Sequence, residues 1–329
     1  MSTEHPFAPY IRLLGKGPRL SRPLTLEEAR AATALILQGA VEPVQLGAFL
    51  CLMRVRTETP EEVAGFALAV QDALPLPAGL PRPDLDWPSY AGKSRRLPLY
   101  LLAALLLAEN GVRILMHGAE GHTAGRLYAR ESLEALGHAP AASLAEAGAL
   151  LETRRFAYVP LALLHPRLQE ILDLKALLGL RTPLHTVARN LNPFRAPAAL
   201  MSVFHPNYRA LHQEAARLMG QNAMACFKGE GGESERRPDK PCLVEGLAGG
   251  VPFSEDWPPL LAETAPPDED LSPARLAALW RGGWSDPFAE AAVVATAALP
   301  LGLLGRAGSQ AEALDLAQRW WENRKAAAG

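Results

Sequence analysis

The stretch WPSYAGKSRRL, Trp87 to Leu97, lies where the pattern of the chain changes. It precedes Pro98 to Asn110, an apolar run that predicts a helix ended by Gly111. The backbone amides of the stretch should therefore lie at a helix N-terminus, where anions are bound. An anion site is the first prediction from the sequence.

The composition of this stretch differs from that of a metal-dependent phosphate loop. Such loops usually have several glycines for close backbone approach, and an acidic residue where a metal accompanies the phosphates. Here there is one glycine, Gly92, and no acidic residue. The charges are Lys93, Arg95 and Arg96, which attract phosphate and can contact it anywhere along a polymer backbone. The stretch belongs either to a catalytic pocket or to a basic groove.

Length and composition narrow the class of protein. With 329 residues, 49% of them apolar, the chain can bury a large core in two unequal lobes. A formal net charge of -2 gives no overall attraction to nucleic acid, so binding would need local clusters of Arg and Lys. The cysteines Cys51, Cys226 and Cys242 include no CxxC pair and indicate neither a disulfide framework nor a zinc site.

The sequence shows no membrane or targeting segment. The N-terminal MSTEHPFAPY has no apolar signal core, and the longest apolar run, Leu97 to Ala108, is too short to span a bilayer. We therefore expect a soluble, cytoplasmic protein with no membrane partner.

The first lobe, residues 1–75, is predicted to be all-helical. Helices are expected over Thr25 to Gln38, over Pro43 to Arg54 and from Thr59 onward. The first and third begin with a capping box, a Thr followed three residues later by Glu. The Pro-rich segment Leu74 to Pro88 has the composition of a linker and marks the lobe boundary.

The second lobe, residues 76–329, alternates short apolar runs with helical patterns, which is typical of an α/β fold. Strands are predicted over Val112 to Met116, over Phe156 to Val159, near Leu200 to Phe204, and over Ala223 to Phe227. Helices are predicted over Ser143 to Leu151, Pro166 to Leu178 and Asn207 to Met219, and from Ser272 and Ser309. Segment 165–185 is a candidate for a helical return to the first lobe. The segment Phe253 to Asp270 is acidic and Pro-rich.

Several phrases of the sequence follow a known order and spacing. They are LTLEEARAATALILQGAVEPVQLGAFLCLMRVRTETPEEVAGF at Leu24 to Phe66, HG at His117-Gly118, SLEALG at Ser132 to Gly137, FAYVP at Phe156 to Pro160, LGLRT at Leu178 to Thr182, and NLNP at Asn190 to Pro193. Together they resemble the anthranilate phosphoribosyltransferase family over nearly the whole chain. The first phrase is also similar to the helical domain of pyrimidine nucleoside phosphorylases.

The resemblance implies a fold class and a site. The fold would be that of anthranilate phosphoribosyltransferases and nucleoside phosphorylases, with a small N-terminal all-α lobe plus a large α/β lobe. Homodimerisation through the α lobe is implied, as is a site for phosphoribosyl pyrophosphate (PRPP) and magnesium between the lobes. Independently, the Ala and Leu residues of Leu24 to Phe66 give apolar surface on more than one helix face, which also favours a homodimer.

The chain departs from the catalytic pattern of this family at one position after another. The family's GTGGD loop falls on Tyr90 to Ser94, its KHGN on Met116 to Ala119, the serine of its GSAD on Ala129, the Arg that positions the aromatic acid on Lys175, its GPL on Ala188 to Asn190, and its acidic magnesium pair within Glu230 to Ser234. Of the acidic pair, at most Glu233 survives. Ordinary transfer to anthranilate is therefore not expected.

The same departures bear on cofactors and partners. Magnesium needs carboxylates plus substrate phosphates, and Glu233 alone is a weak candidate ligand, so no metal or cofactor is expected. The phrase KGEGGESERRPDKP, Lys228 to Pro241, together with the basic first loop, resembles the YbiB-type branch. Members of that branch keep the fold and the dimer but bind single-stranded and double-stranded nucleic acid.

Under this resemblance, the candidate nucleic-acid or phosphate ligands lie around the cleft between the lobes. They are Lys93, Ser94, Arg95, Arg96, Arg126, Arg189, Asn190, Lys228, Arg236 and Arg237. The residues implied for the substrate pocket are Gly92, His117, Gly118 and Lys175. Each cation alone is more often a surface charge, and His117 more often a pocket wall than an acid or base. For Tyr90 and Phe194, base stacking and core packing are alternatives.

The leading hypothesis from the sequence is a nucleic-acid-binding homodimer with a degenerate phosphoribosyltransferase fold, which binds without sequence preference across a basic inter-lobe cleft. The alternative is a phosphoribosyltransferase that uses PRPP, with or without magnesium, and a different acceptor. A nucleoside phosphorylase is a third hypothesis, against which stands the absence of that family's phosphate-loop serines and lysine.

Overall fold

The computed structural model describes residues 4–17, 19–119, 121 and 123–324. The helices are α1 Ala8–Gly15, α2 Leu26–Leu37, α3 Pro43–Arg56, α4 Pro60–Ala73, α5 Leu99–Glu109, α6 Ala129–Ala135, α7 Leu144–Thr153, α8 Leu161–Leu164, α9 Pro166–Leu178, α10 Leu184–Val187, α11 Arg209–Leu218, α12 Pro273–Arg281, α13 Pro287–Leu303 and α14 Gln310–Asn323. The strands are β1 Leu85–Ser89, β2 Ile114–Gly118, β3 Phe156–Pro160, β4 Ala198–Val203, β5 Ala223–Lys228, β6 Cys242–Ala248 and β7 Val251–Trp257.

The N-terminal helices form a bundle whose ends follow the capping signals. Thr25 accepts a hydrogen bond from the Glu28 amide at the start of α2, and Thr59 does the same for Glu62 at the start of α4. Helices α2 and α4 approach closely at Gly65, which has no side chain. A Cβ at this position would lie only 2.3 Å from the carbonyl oxygen of Leu26. The predicted all-helical first part of the chain is confirmed.

The rest of the chain is built on a seven-stranded sheet with the order β3-β2-β1-β4-β5-β6-β7. Strands β1 to β5 are parallel, and β6 and β7 add an antiparallel hairpin at one edge. The carboxyl ends of the parallel strands therefore meet at one edge of the sheet, where sites of α/β proteins usually form. The predicted α/β class is confirmed.

Side chains on the two faces of the sheet enter different cores. Ile114 and Met116 pack with the helices α5, α13 and α14, whereas Leu115, between them, packs with the helical bundle. Helix α5 is buried on all sides, which explains why its sequence is apolar without a polar face. Among the described residues, no helix has both the length and the apolarity needed to cross a bilayer.

One predicted segment differs from the structure, and a second, for which the sequence indicates only a composition, can be assigned. The predicted linker Leu74 to Pro88 ends in a buried central strand, β1, and the acidic segment Phe253 to Asp270 begins inside β7. Pro88 is tolerated in a central strand because β4 pairs only with Leu85 and Asp86 of β1, so that side of Pro88 needs no ladder hydrogen bond.

Candidate nucleic-acid interface

The loop after β1 leads into α5, and its amides already bind anions that belong to the chain. Glu233 Oε1 accepts hydrogen bonds from Ala91 N at 2.7 Å and from Gly92 N at 2.6 Å. Asp268 Oδ2 accepts one from Leu97 N at 2.7 Å. The anion predicted at this helix N-terminus is therefore present as internal carboxylates.

The lysine of the loop is also used internally. Lys93 Nζ lies 2.6 Å from Glu235 Oε1, and Glu235 Oε2 accepts a hydrogen bond from Tyr100 N in the first turn of α5 at 3.0 Å. Burial raises the pKa of Glu235, and the Lys93 ammonium opposes this rise. The backbone of Lys93 forms two further hydrogen bonds with Leu127. Lys93 thus fixes the loop in place.

Two other predicted cations are buried away from the cleft. The Arg96 guanidinium lies 4.1 Å from the centre of the Phe288 ring and 3.9 Å from Asp268. Arg236 lies over the Trp257 ring at 5.1 Å, and burial lowers its pKa. The expectation that Arg236 faces the cleft is wrong, and Arg96 likewise packs inside the protein, because both guanidinium groups rest on aromatic rings of the core.

The carboxyl edge of the sheet carries an open cleft of about 850 Å³. Its walls include Lys93, Ser94, Arg95, Arg126, Lys228 and Arg237 from the sequence prediction. They also include Phe204, His205, Arg209 and Lys240, which the sequence reasoning did not select. We call these residues the basic cleft. Phe204 and His205 directly follow β4, which is the positional signal that could have found them, whereas Arg209 begins α11 and Lys240 lies just before β6.

The cations of the basic cleft differ in how they are paired. Arg95, Lys228 and Lys240 are exposed, and none of them forms an ion pair or side-chain hydrogen bond within the described residues. Arg237 pairs with Asp239, and Arg209 lies 3.5 Å from Glu245. The free charges are therefore the outer ones, which remain available to an anion in solution.

A smaller hollow of about 140 Å³ adjoins the cleft and is lined by Arg126, Arg181, Arg189, Tyr90 and His185, among others. Arg126 donates hydrogen bonds to the carbonyl groups of the loop, and Arg189 donates to Ser202 O at 2.8 Å. Burial lowers the pKa of Arg181, and the positive charge of Arg126 lowers it further. The hollow is therefore a cationic space that favours a small anion.

Asn190 does not reach either cavity. It is buried, and its Nδ2 donates to His212 O at 3.3 Å while its Oδ1 contacts the His212 ring. Burial lowers the pKa of His212 to about 3, so this ring is neutral at physiological pH. The pair connects the segment after α10 to α11 and is structural.

The residues implied for the family's substrate pocket are mostly structural here. A Cβ on Gly118 would lie 2.1 Å from Ser89 O, and Gly92 has φ +67° and lies against Tyr128. His117 is buried in β2, with Nδ1 2.7 Å from Tyr90 Oη and Nε2 3.3 Å from Asp86. His117 and Gly118 line neither cavity.

Lys175 forms a contact within the chain, and the two predicted stacking residues are buried. Lys175 Nζ lies 3.1 Å from Thr123 Oγ1, and burial, with Arg181 and Arg126, lowers its pKa. Tyr90 and Phe194 are both buried in the core around the helical bundle, and Tyr90 also lines the hollow.

The residues present do not fit a magnesium site of the family type. The single surviving candidate, Glu233, already accepts hydrogen bonds from two backbone amides through Oε1, so this oxygen is engaged within the chain, and one carboxylate is too few for the ion. No group of three or more His, Cys, Asp or Glu side chains suited to a metal occurs within the described ranges.

Sequence comparisons relate the chain to known proteins. It is 32% identical to the uncharacterized protein YbiB of Escherichia coli over 203 residues, which cover 60% of this chain and 63% of YbiB. It is 30% identical to the anthranilate phosphoribosyltransferase of Thermus thermophilus over 215 residues, which cover 65% of each chain. The matched segments thus span just under two thirds of these relatives.

Structural comparison extends the similarity over the whole chain. The crystal structure of anthranilate phosphoribosyltransferase from T. thermophilus has a TM-score of 0.79 and 25% identity, covering 98% of this chain and 96% of that chain. The Saccharomyces cerevisiae enzyme in complex with PRPP and Mg has a TM-score of 0.77 at 16% identity, covering 99% and 96%, and shows the shared fold alone.

The helical bundle domain of a glycosyl transferase family matches residues 8–74, the region that contains α1 to α4. The bundle, the sheet and the similarity to YbiB and to the T. thermophilus enzyme agree with one another. The chain belongs to the anthranilate phosphoribosyltransferase-like family of glycosyl transferases and is a homologue of YbiB.

Proposed function

We propose that this protein binds nucleic acid without sequence preference through the basic cleft, on a phosphoribosyltransferase fold that has lost its ordinary transfer site. The observation that carries this proposal is a division of charge in the loop after β1. The inner groups, the Ala91 and Gly92 amides and Lys93, are occupied by Glu233 and Glu235. The outer cations, Arg95 in this loop with Lys228 and Lys240 from neighbouring segments, remain unpaired and open to solvent.

This division favours a polymer over a small phosphorylated ligand. A small phosphorylated ligand is usually held by loop amides and a buried cation, and those groups are engaged here. A polymer needs only exposed cations spaced along a groove, because its backbone presents a phosphate at every nucleotide. Arg95, Lys228 and Lys240 meet this requirement from three different segments of the chain.

The test is fluorescence anisotropy of a labelled single-stranded oligonucleotide at two salt concentrations. The variant Arg95→Ala/Lys228→Ala/Lys240→Ala should bind more weakly and should lower the slope of log affinity against log salt by about 2, at ~0.7 per phosphate contact. The matched control removes Lys16, Arg19 and Arg319, three exposed cations that line neither cavity. Equal losses in both variants, or no binding by the wild type at low salt, would refute the proposal.

A second candidate is phosphoribosyl transfer to an acceptor other than anthranilate. It is supported by the hollow beside the cleft, where Arg126 and Arg181 repel one another and a bound anion would relieve that repulsion. It is also supported by the similarity to enzymes, one of which was solved with PRPP and Mg. Calorimetry with PRPP, with and without magnesium, tests this candidate, and binding blocked by Arg181→Ala would favour it.

We also propose that the protein is a homodimer joined through the bundle. Along the outer face of α3, Val44, Ala48, Cys51 and Val55 form a continuous apolar stripe, in which Val44 is 79% and Val55 82% exposed. Leu177 on the neighbouring α9 is exposed as well. A contiguous apolar surface of this kind on a small bundle favours a second copy as its partner.

We also propose that the protein is cytoplasmic. Cys51, Cys226 and Cys242 are free thiols, and burial raises the pKa of Cys242 to about 11. Free thiols favour a reducing compartment such as the cytoplasm.

A further inference from the structure

Phe204 is exposed at the carboxyl edge of the sheet, directly after β4. It is 53% exposed, and it is the one exposed Phe, Tyr or Trp side chain in the part of the chain that the structure describes. Its ring centre lies 4.9 Å from that of His205, with an angle of 83° between the planes. A large aromatic side chain in this position gains little from folding, so a role outside the core is the better explanation.

The position of Phe204 is set by its neighbours in the sheet and in the next turn. Val203, the last residue of β4, pairs with Lys228 of β5, and both Phe204 and the exposed Lys228 line the basic cleft. The turn at Gly231 and Gly232 lies against the Phe204 side chain, since a Cβ on Gly232 would be in contact with Phe204 Cβ at 3.4 Å. Both glycines have positive φ, so the turn keeps this shape without strain.

Phe204 and His205 also lie where the two cavities meet. Both residues line the basic cleft and both line the hollow with Arg126. Lys228 and Arg95 line the cleft together with this pair, and Arg126 lines both cavities. An aromatic ring among unpaired cations is the arrangement by which proteins bind single-stranded nucleic acid, since cations contact phosphates while rings stack on bases.

Resting on the proposed function, we propose that Phe204, with His205 at its edge, is a stacking platform for an unpaired base, and that the protein therefore prefers single strands to duplexes. In a duplex both faces of an internal base are covered by its neighbours, so the ring could contact only the sugar-phosphate edge. In a single strand a base can leave the stack and lie on Phe204. The cations contribute to both forms, whereas the ring contributes to one.

The experiment compares a labelled 20-mer of thymidines with a mixed-sequence duplex of equal length, at one salt concentration. Phe204→Ala should weaken binding of the single strand by about 5- to 150-fold, the range expected for loss of one base-aromatic stack. Binding of the duplex should change less than about twofold. Phe204→Trp should restore the affinity for the single strand, and Val251→Ala, at an exposed apolar residue outside both cavities, should change neither.

The outcomes separate this inference from the proposed function. If Phe204→Ala weakens both nucleic acids equally, or leaves the single strand unaffected, the stacking inference is overturned while cleft binding stands. If the wild type binds neither nucleic acid at low salt, the proposed function fails first. A melting temperature of Phe204→Ala close to that of the wild type shows that any loss of affinity does not come from unfolding.

Discussion

Lys93 Nζ and Glu235 Oε1 lie 2.6 Å apart, and their side chains are only 1% and 2% exposed. The pair joins the loop after β1 to the segment after β5, and Glu235 extends the link to the N-terminus of α5 through Tyr100 N. The sequence pattern predicts a site for an external phosphate, but in the structure the Glu235 carboxylate of the same chain contacts the lysine. Lys93 is positioned to contact an anion, but that anion is the Glu235 carboxylate of the same chain.

Breaking this pair should strongly destabilise the protein. Lys93→Met leaves the Glu235 carboxylate buried without its cation, which typically costs about 3–5 kcal/mol in the free energy of unfolding. The double variant Lys93→Met/Glu235→Gln should recover most of that loss, because it no longer buries an uncompensated charge. Urea unfolding of the single and double variants at pH 7 measures the difference.

The opposite result would restore the role that the sequence suggests. If Lys93→Met unfolds at the urea concentration of the wild type but loses affinity for an oligonucleotide, then Lys93 contacts the ligand directly. Arg95→Ala is the matched control, since Arg95 is exposed in the same loop and its loss should affect binding without affecting stability.

Much of the fold could be predicted because its signals are local. The capping boxes at Thr25 and Thr59 fix the starts of α2 and α4, and Gly179, at φ +70°, ends α9 where the sequence predicts. Strand β1 could not be found in this way. Its segment contains Pro88, and the side chains on both faces of the strand are buried. Neither the composition nor an alternation of polar and apolar residues therefore distinguishes it from a linker.

The site was less predictable because its partners are distant in sequence. Glu233 and Glu235 contact the loop from about 140 positions away in the sequence. No local spacing therefore predicts which cation forms an ion pair with them. Residue type alone therefore did not separate Lys93, which is paired and buried, from Arg95, which is free. Phe204 was missed because the sequence pattern places it inside the predicted strand near Leu200 to Phe204, where an aromatic residue is usually assigned to the core, whereas β4 ends at Val203.

The buried carboxyl of Glu58 should make stability depend on pH. Burial raises the pKa of Glu58 above its usual 4.5, and nearby Glu62 raises it further, while its own backbone amide and Arg54 lower it. A carboxyl group with a raised folded pKa binds protons more tightly in the native state, so stability is highest below about pH 4.5 for this group and falls as pH rises towards the folded pKa.

Glu58→Gln removes this dependence. At pH 7 the variant should be more stable than the wild type by an amount on the order of 1 kcal/mol, and the difference should disappear towards pH 4. Urea unfolding at several pH values measures it. A variant that is less stable than the wild type at pH 7 would mean that the charged carboxylate is used by Arg54 or Thr186 more than burial penalises it.

Two glycines should respond in opposite directions to the same substitution. Gly65→Ala places a Cβ 2.3 Å from Leu26 O and 2.8 Å from Ala29 Cβ, so α2 and α4 must separate at a cost of about 1–3 kcal/mol or more. Gly302→Ala in α13 meets nothing within 4 Å and should stabilise the helix by about 0.5–1 kcal/mol. Thermal melts of both variants test this contrast, and a stabilising Gly65→Ala would contradict the close approach.

The apolar stripe on α3 predicts how the dimer can be broken. Val44→Glu/Val55→Glu places two carboxylates in the surface that we expect a second copy to cover, and Leu177→Glu extends the change to α9. Because charges are costly to bury unpaired, the variants should be monomeric in sedimentation equilibrium at micromolar concentration, with unchanged far-ultraviolet circular dichroism.

Val251→Glu is the control for this last prediction, since Val251 is exposed on the hairpin of β6 and β7 and lies outside the stripe. It should leave the association state unchanged. The monomeric variant should still bind a short oligonucleotide, because the basic cleft lies at the edge of the sheet, but a long strand that can reach two clefts should lose affinity by more than the short one. A wild type that sediments as a monomer, or a double variant that remains dimeric, would exclude the stripe as the interface.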